Sequence, residues 1–388
     1  FKTKINFQRK KMEFNLKQIY EDRRKKVSEY LKQNNIKAAI FEDSEQRRDV
    51  AVRYLCGHPS DASLIILDNG KSFLIPWDEN LAKDKAFADE IIPSEKFKRS
   101  YINAAEEILT SAISEKKSKI CISPETPYIQ FKKYSEKLGS FKICAEENSA
   151  HDFVKSLRAV KDKYEIACTK KAASITDEMT KIIVENLRQG KIKTETDVAL
   201  FAERELRIKG AERTSFDTLA AGPERSFAIH AFPGYTQGNW GTQGLSILDY
   251  GVCYEGYASD CTITIAKGPL SKEQEQLLNS VQEAADECKK LYMPKEKISN
   301  AVKKADEIFA KINRVMPHGL GHGTGLEIHE EPFVSMRASE NDVFKAGNII
   351  TLEPGLYDKT LGGTRLENDI LITETGNEIL THSEIFRL

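Results

Sequence analysis

Apolar and polar positions repeat with two different periods along this chain, and the changes of period divide it. From Asn15 to Asn34 they follow a helical repeat, whereas Lys37 to Phe41 and Ser63 to Leu67 are short apolar runs of strand length. Residues 12–150 therefore read as alternating helices and strands, an α/β domain. From about Ala145 to Lys163 the sequence turns polar and charged, and a long helical pattern then runs from Tyr164 to about Arg188, stopping at Gly190. This predicts a linker at 151–163 and a second domain at 164–388. Thr194 with Asp197, and Ser271 with Gln274, have the spacing of capping boxes and predict helices running to Gly210 and to about Tyr292. Strand patterns fall at Ser246 to Val252, Tyr257 to Ala266, Asn348 to Leu352 and Thr364 to Thr373. They form two strand-loop-strand units of similar design, 246–266 and 348–373.

Composition narrows the class. The 388 residues are 40% hydrophobic and 30% charged, which excludes disorder and collagen-like repeats and leaves room for two domains, each with its own core. Apolar runs such as Val198 to Ala202 and Leu64 to Leu67 fall far short of the roughly 18 residues of a membrane helix, so no membrane span is expected. With 58 basic and 59 acidic groups the net charge is -1, and nothing draws the whole chain to nucleic acid or anionic lipid. Residues 1–11, FKTKINFQRKK, carry five basic groups and no acid, so the rest of the chain is mildly acidic. This leader lacks the apolar core of a secretory signal and precedes Met12; it reads as a disposable tail or start-site artefact, with a basic anchoring arm as the alternative. The seven cysteines, Cys56, Cys121, Cys144, Cys168, Cys253, Cys261 and Cys288, are odd in number, widely spaced and never in CxxC. Free thiols in a reducing cytoplasm fit that pattern.

Candidate chemistry concentrates in the two paired-strand units. A hairpin turning on Tyr254-Glu255 sets Asp249 directly opposite Asp260, on one face, where two anions repel unless a cation or a shared proton lies between them. A turn at Glu255-Gly256 instead sets Asp249 opposite Thr262, and the sequence leaves both registers open. In the second unit Glu353 opposes Glu367 across a loop centred near Thr360, with Gly362 and Gly363 supplying turn chemistry. Glu367 sits among Leu366, Ile370 and Leu371, where a carboxylate is costly unless paired or coordinated. Four acids on two neighbouring hairpins make a cluster of hard oxygen donors that a pair of divalent cations would neutralise.

Between these units lies HGLGHGTGLEIHEEP, His318 to Pro332, with His318, His322 and His329. Gly319, Gly321, Gly323 and Gly325 are interleaved with them, so 318–325 cannot be a stable helix and the HExxH zinc-protease reading fails. The glycines match neither phosphate-binding pattern, which leaves an extended Gly-rich segment presenting imidazoles.

These residues resemble the pita-bread metallopeptidases, a family that includes prolidase, aminopeptidase P and methionine aminopeptidase, with creatinase as a non-peptidase relative. The resemblance covers about residues 12–388, is strongest in 230–370, and is closest to the proline-specific members. It implies an N-terminal creatinase-like α/β domain followed by a catalytic domain with a pseudo-symmetric antiparallel sheet flanked by helices. The family's metal ligands, in the order Asp, Asp, His, Glu, Glu, match Asp249, Asp260, His322, Glu353 and Glu367. His318 and His329 look like the accessory histidines that bind substrate and steady the tetrahedral intermediate, His230 like the upstream active-site histidine, and Arg365 also matches. Ile229, Ile263 and Leu245 depart from the family's usual proline, basic residue and aspartate.

What the resemblance implies is hydrolysis of an Xaa-Pro bond, in dipeptides or at peptide N-termini, by a hydroxide shared between two divalent metal ions. Manganese is the first choice of metal, with cobalt, zinc or iron as alternatives. Glu353 would also move the proton, His230 and His329 would stabilise the oxyanion, His318 would help hold substrate, and Arg365 would orient Glu367. A homodimer is implied as well. The competing expectations are a creatinase-like amidinohydrolase or lyase, and a non-catalytic peptide-binding member of the same fold.

Overall fold

The computed structural model describes residues 14–388, so the basic leader at 1–11 lies outside the described residues. The chain divides after Val154 into two compact units. The charged stretch expected as a linker is largely a helix, Ala150–Ala159, because buried His151, Val154 and Arg158 recur at helical spacing.

In the first unit the helix Leu16–Gln33 starts where the Asn15 side chain accepts the Gln18 N–H. The sheet beside it has six strands, in the order Glu90–Ile91, Ser72–Pro76, Ala62–Leu67, Ile36–Asp43, Lys119–Ile122, Lys142–Cys144. Every residue of the Ala62–Leu67 strand is buried, which is why its sequence is an unbroken apolar run.

The second unit is built on a nine-stranded sheet. Its main path runs Glu330–Val334, Gly321–Gly323, Ile349–Leu352, Glu367–Ile372, Cys261–Lys267, Gly244–Tyr250, Leu219–Ala221. The helices Lys163–Arg188 and Glu195–Ile208 bury Ala172, Ile175, Val198 and Leu206 in one core with Leu248, Ile263 and Ile265. On the other half, Lys272–Lys289 and Ile298–Ala310 bury Val281, Ala305 and Phe309 with Ile350, Leu352 and Ile370. Each half is thus two helices on a strand pair, the pseudo-symmetric architecture anticipated above. Both expected capping boxes form, and a third, Asp162 with Glu165, opens the long helix. Among the described residues no helix is long and apolar enough to cross a membrane.

The expected strands are interrupted at two informative places. The run Ser246 to Val252 breaks at Gly251, where a Cβ would stand 1.8 Å from the Ser259 carbonyl oxygen. Beyond it Val252–Tyr254 and Tyr257–Ala258 join a separate small sheet with Arg213–Thr214. The run Thr364 to Thr373 breaks at Leu366, between Gly362–Arg365 and Glu367–Ile372. Asp249 and Glu367 lie at or next to the ends these breaks create, and Asp260 and Glu353 lie just outside the ends of Cys261–Lys267 and Ile349–Leu352.

Candidate metal centre

The hairpin register corrects one of the two options. Asp249 pairs with Thr262, not Asp260. The cause is the turn: Glu255 and Gly256 both have positive φ, +50° and +85°, the two-residue geometry in which glycine is favoured. Asp260 lies two residues before Thr262 and so stays on the same face, diagonal to Asp249. In the second unit the pairs Leu352↔Asn368 and Gly355↔Arg365 bracket Glu353 and Glu367, and that register sets those two acids opposite each other.

Because Thr262 also pairs with Glu367, one row across the sheet reads Glu353, Glu367, Thr262, Asp249. The adjacent row holds Thr351, Asp369 and Asp260. His322 joins it through its backbone N–H, which donates to Thr351 Oγ1 at 3.0 Å. Glycine is required beside His322, since a Cβ on Gly321 would lie 2.0 Å from the Thr351 carbonyl oxygen and one on Gly323 2.3 Å from that of Glu331. The Gly-rich stretch is therefore a strand squeezed between two neighbours, and it brings an imidazole to the acids.

One ligand atom each from Asp260, His322 and Glu367 lie within 4.8 Å of one another, and all three residues are buried. His322 Nε2 is 3.7 Å from Asp260 Oδ2 and 3.6 Å from Glu353 Oε1. Its Nδ1 faces the Gly323 carbonyl at 3.2 Å, which leaves Nε2 as the free lone pair pointing at the carboxylates. Asp249 Oδ1 and Asp260 Oδ1 are buried without a hydrogen-bond partner. Burial raises the Glu353 carboxyl to about 8, with Asp249 adding to the rise and Arg365 opposing it. Asp260 and Glu367 are raised well above the carboxylate range by burial and then by their acidic neighbours. Burial also lowers His322 and His318 to about 4, keeping both imidazoles neutral near pH 7. Orphaned oxygens, mutual repulsion and one neutral imidazole make a donor set that fits divalent cations.

Around this face the accessory residues divide by depth. His318 Nδ1 meets the Gly319 carbonyl at 2.8 Å, so its Nε2 accepts from the Tyr357 hydroxyl at 3.0 Å. That hydroxyl in turn accepts from Arg365 Nη1 at 2.6 Å. His329 lies with its ring centroid 4.2 Å from that of His322, and its pKa is lowered by burial and by His230. His230 is exposed, and its proximity adds to the lowering of His318 as well as His329.

Arg365 departs from its expected role. Its Nη2 donates to Asp249 Oδ2 at 2.6 Å, Nε to Thr262 Oγ1 at 3.0 Å and Nη1 to the Ile229 carbonyl at 3.1 Å as well as to Tyr357. Glu367 instead accepts from Thr262 Oγ1 at 2.7 Å. Arg365 orients Asp249, and its hydrogen-bonded route to Glu367 runs through Thr262, because it pairs with Gly355 just outside the break and points across the row rather than along its own strand.

Sequence reasoning missed Tyr357 and Asp369, and named Thr262 only as one of two partners open to Asp249. Tyr357 is two places from Gly355, which pairs with Arg365, so the hairpin register already put both side chains on one face. Asp369 follows Glu367 at the strand period, and its Oδ2 accepts the Asp260 N–H at 2.8 Å. An acid in an apolar strand was the available signal.

Residues 167–374 match the metallopeptidase family M24, and residues 23–160 match the creatinase/prolidase N-terminal domain. The Xaa-Pro dipeptidase of Pyrococcus horikoshii is 30% identical over 374 residues, covering 94% of this chain and 98% of that protein. Among solved structures, the prolidase from Pyrococcus horikoshii OT3 superposes with a TM-score of 0.80 at 27% identity, covering 94% of this chain and 99% of the other. The X-Pro aminopeptidase from Thermotoga maritima MSB8 gives a TM-score of 0.81 at 27% identity, covering 93% of this chain and 99% of the other.

Proposed function

The chain belongs to metallopeptidase family M24, and on that premise we propose that it is a metal-dependent enzyme hydrolysing the Xaa-Pro bond, foremost as an Xaa-Pro dipeptidase. The observation that carries this reading is the single sheet face on which Asp249, Asp260, His322, Glu353 and Glu367 converge with buried oxygens left unpartnered. Those five residues would hold two divalent cations. A set of four carboxylates and one imidazole suits manganese first, with cobalt, zinc or iron as alternatives. When bound, such cations polarise the scissile carbonyl and lower the pKa of a water from about 15.7 toward neutrality.

The protein's own groups do the rest. Glu353, a carboxylate once cations neutralise the cluster, would accept the proton of the attacking water and deliver it to the proline nitrogen, which carries no N–H in the imide and must gain one to leave. His329 and His230 donate N–H to the developing oxyanion, while His318, fixed by Gly319 and Tyr357, holds substrate. Arg365 is fully buried and engaged with four partners, so it positions Asp249, Tyr357 and the segment ahead of His230 without touching substrate.

The test is metal-replete protein offered Ala-Pro and Ala-Pro-Ala. Cleavage of Ala-Pro, lost in Glu353→Ala, is expected; failure to cleave either peptide overturns the reading. A rate on Ala-Pro-Ala above that on Ala-Pro would assign the protein to the aminopeptidase P type. We also propose a cytoplasmic homodimer, since the cysteines are free and twofold assemblies are the commonest closed oligomers. Light scattering at the mass of one chain would contradict the dimer.

A further inference from the structure

We propose that Cys121 and Cys144, in the first unit, are a dithiol that a low-molecular-weight disulfide such as glutathione disulfide converts to a reversible cross-strand bridge. The two lie directly opposite each other on adjacent parallel strands, whose register is Lys119↔Lys142, Ile120↔Ile143 and Cys121↔Cys144. Residues in register on neighbouring strands share a face. The intervening pair confirms which face, because Ile120 and Ile143 pack in the same apolar core and the cysteines therefore point to the other side. Strands about 4.8 Å apart place the two Cα atoms inside the range of about 4.4–6.8 Å that disulfides span. None of the other cysteines stands opposite a cysteine in any strand pair among the described residues.

The surroundings give the two thiols different parts. Cys144 is partly exposed on the edge strand Lys142–Cys144, whereas Cys121 is 1% exposed. Burial raises both thiols, and Glu146 adds to the rise at Cys144; Lys142 and Lys119, on the same face, oppose it there. For Cys121 the opposing groups are the backbone N–H of Ala150, the Ser149 hydroxyl and the backbone N–H of His151, where the helix Ala150–Ala159 begins. Cys144 is thus the thiol that solvent oxidants reach, and Cys121 the one that resolves.

The chemistry is two exchanges. The Cys144 thiolate attacks one sulfur of glutathione disulfide, a protein-glutathione disulfide forms, and one glutathione leaves as the thiol carrying the proton. The Cys121 thiolate then attacks Cys144 Sγ and expels the second glutathione as thiol. Two protein thiols are oxidised and one glutathione disulfide is reduced, with no other electron acceptor. The bridge would pin the edge strand to its neighbour and make the first unit harder to unfold.

The test treats the full metal-loaded chain with glutathione disulfide, blocks remaining thiols and maps peptides without reduction. A linked peptide joining Cys121 to Cys144, lighter by two hydrogens, is expected, together with a higher melting temperature that dithiothreitol reverses. Cys144→Ser should lose both effects yet keep full Ala-Pro hydrolysis. Cys121→Ser should instead stop with glutathione attached at Cys144. Glutathione on Cys144 of the unaltered chain with Cys121 still open to alkylation, both thiols unmodified, or a bridge to any other cysteine would overturn the proposal.

Discussion

Glu330 and Glu367 are both buried carboxylates on strands of one sheet, yet their surroundings drive them in opposite directions. Glu330 accepts from Arg158 Nη2 at 2.6 Å, from Lys161 Nζ at 3.2 Å and from the Glu327 N–H at 3.1 Å. Burial would push it up, but Lys161 and Arg158 outweigh burial and hold it at about 2. Glu367 has a hydroxyl and a cluster of like charges, and its pKa goes up. The first acid is satisfied by the chain itself. The second belongs to a group whose missing positive charge must come from outside, and this, rather than burial or acidity alone, separates a functional site from a structural one.

The comparison is broken most forcefully by removing one member of each group. Glu367→Ala should lower kcat/KM on Ala-Pro by roughly 10³-fold or more, the scale expected for a group the chemistry needs, while the metal-free protein keeps or gains stability. Glu330→Gln should do the reverse. It leaves Arg158 and Lys161 buried without a full partner, so unfolding in urea should show a loss of about 3–5 kcal/mol, with activity per folded molecule retained. If both substitutions acted alike on stability, the distinction would fail.

Acidity sharpens the same contrast. The Glu353 carboxyl moves from about 4.5 when unfolded to about 8 when folded, so its contribution is fully present below pH 4.5 and is lost as pH rises through 8. Glu330 is depressed to about 2, so its contribution is present above pH 4.5 and is lost as pH falls through 2. Above about pH 6.5 His318 and His322, lowered to about 4, are neutral folded and unfolded alike, so from there to pH 8 the Glu353 loss should weaken metal-free protein by roughly 2 kcal/mol, and saturating metal should abolish that loss. Denaturant midpoints across that range, with and without metal, would check this.

Smaller effects lie beyond the acids. Tyr357→Phe removes the hydroxyl that Arg365 donates to and that donates to His318, and should cost about 10-fold in kcat with metal binding unchanged. An effect on metal stoichiometry instead would place Tyr357 in the cation site.

Much of this was legible in the sequence, and the reasons for the exceptions are local. Glu353 and Glu367 could be paired because a symmetric glycine-bearing loop carries an uninterrupted register to them. Asp249 and Asp260 could not, because the positive φ of Glu255 and Gly256 moves the turn by one residue and Gly251 lets the strand leave the sheet. The helices announced themselves through capping residues, whereas the helix Ala150–Ala159 hid in a charged stretch whose buried positions include His151 and Arg158. Arg365 could be picked out as a site residue, but its partner could not, since which carboxylate it meets depends on three strands lying side by side.

The most direct test of the account is a titration of chelator-treated protein with Mn²⁺, following bound metal and Ala-Pro hydrolysis in the same samples. Hydrolysis should be absent at the start and appear as two ions bind per chain. Hydrolysis that persists with all metal removed, or that stays absent with both ions bound, would contradict it.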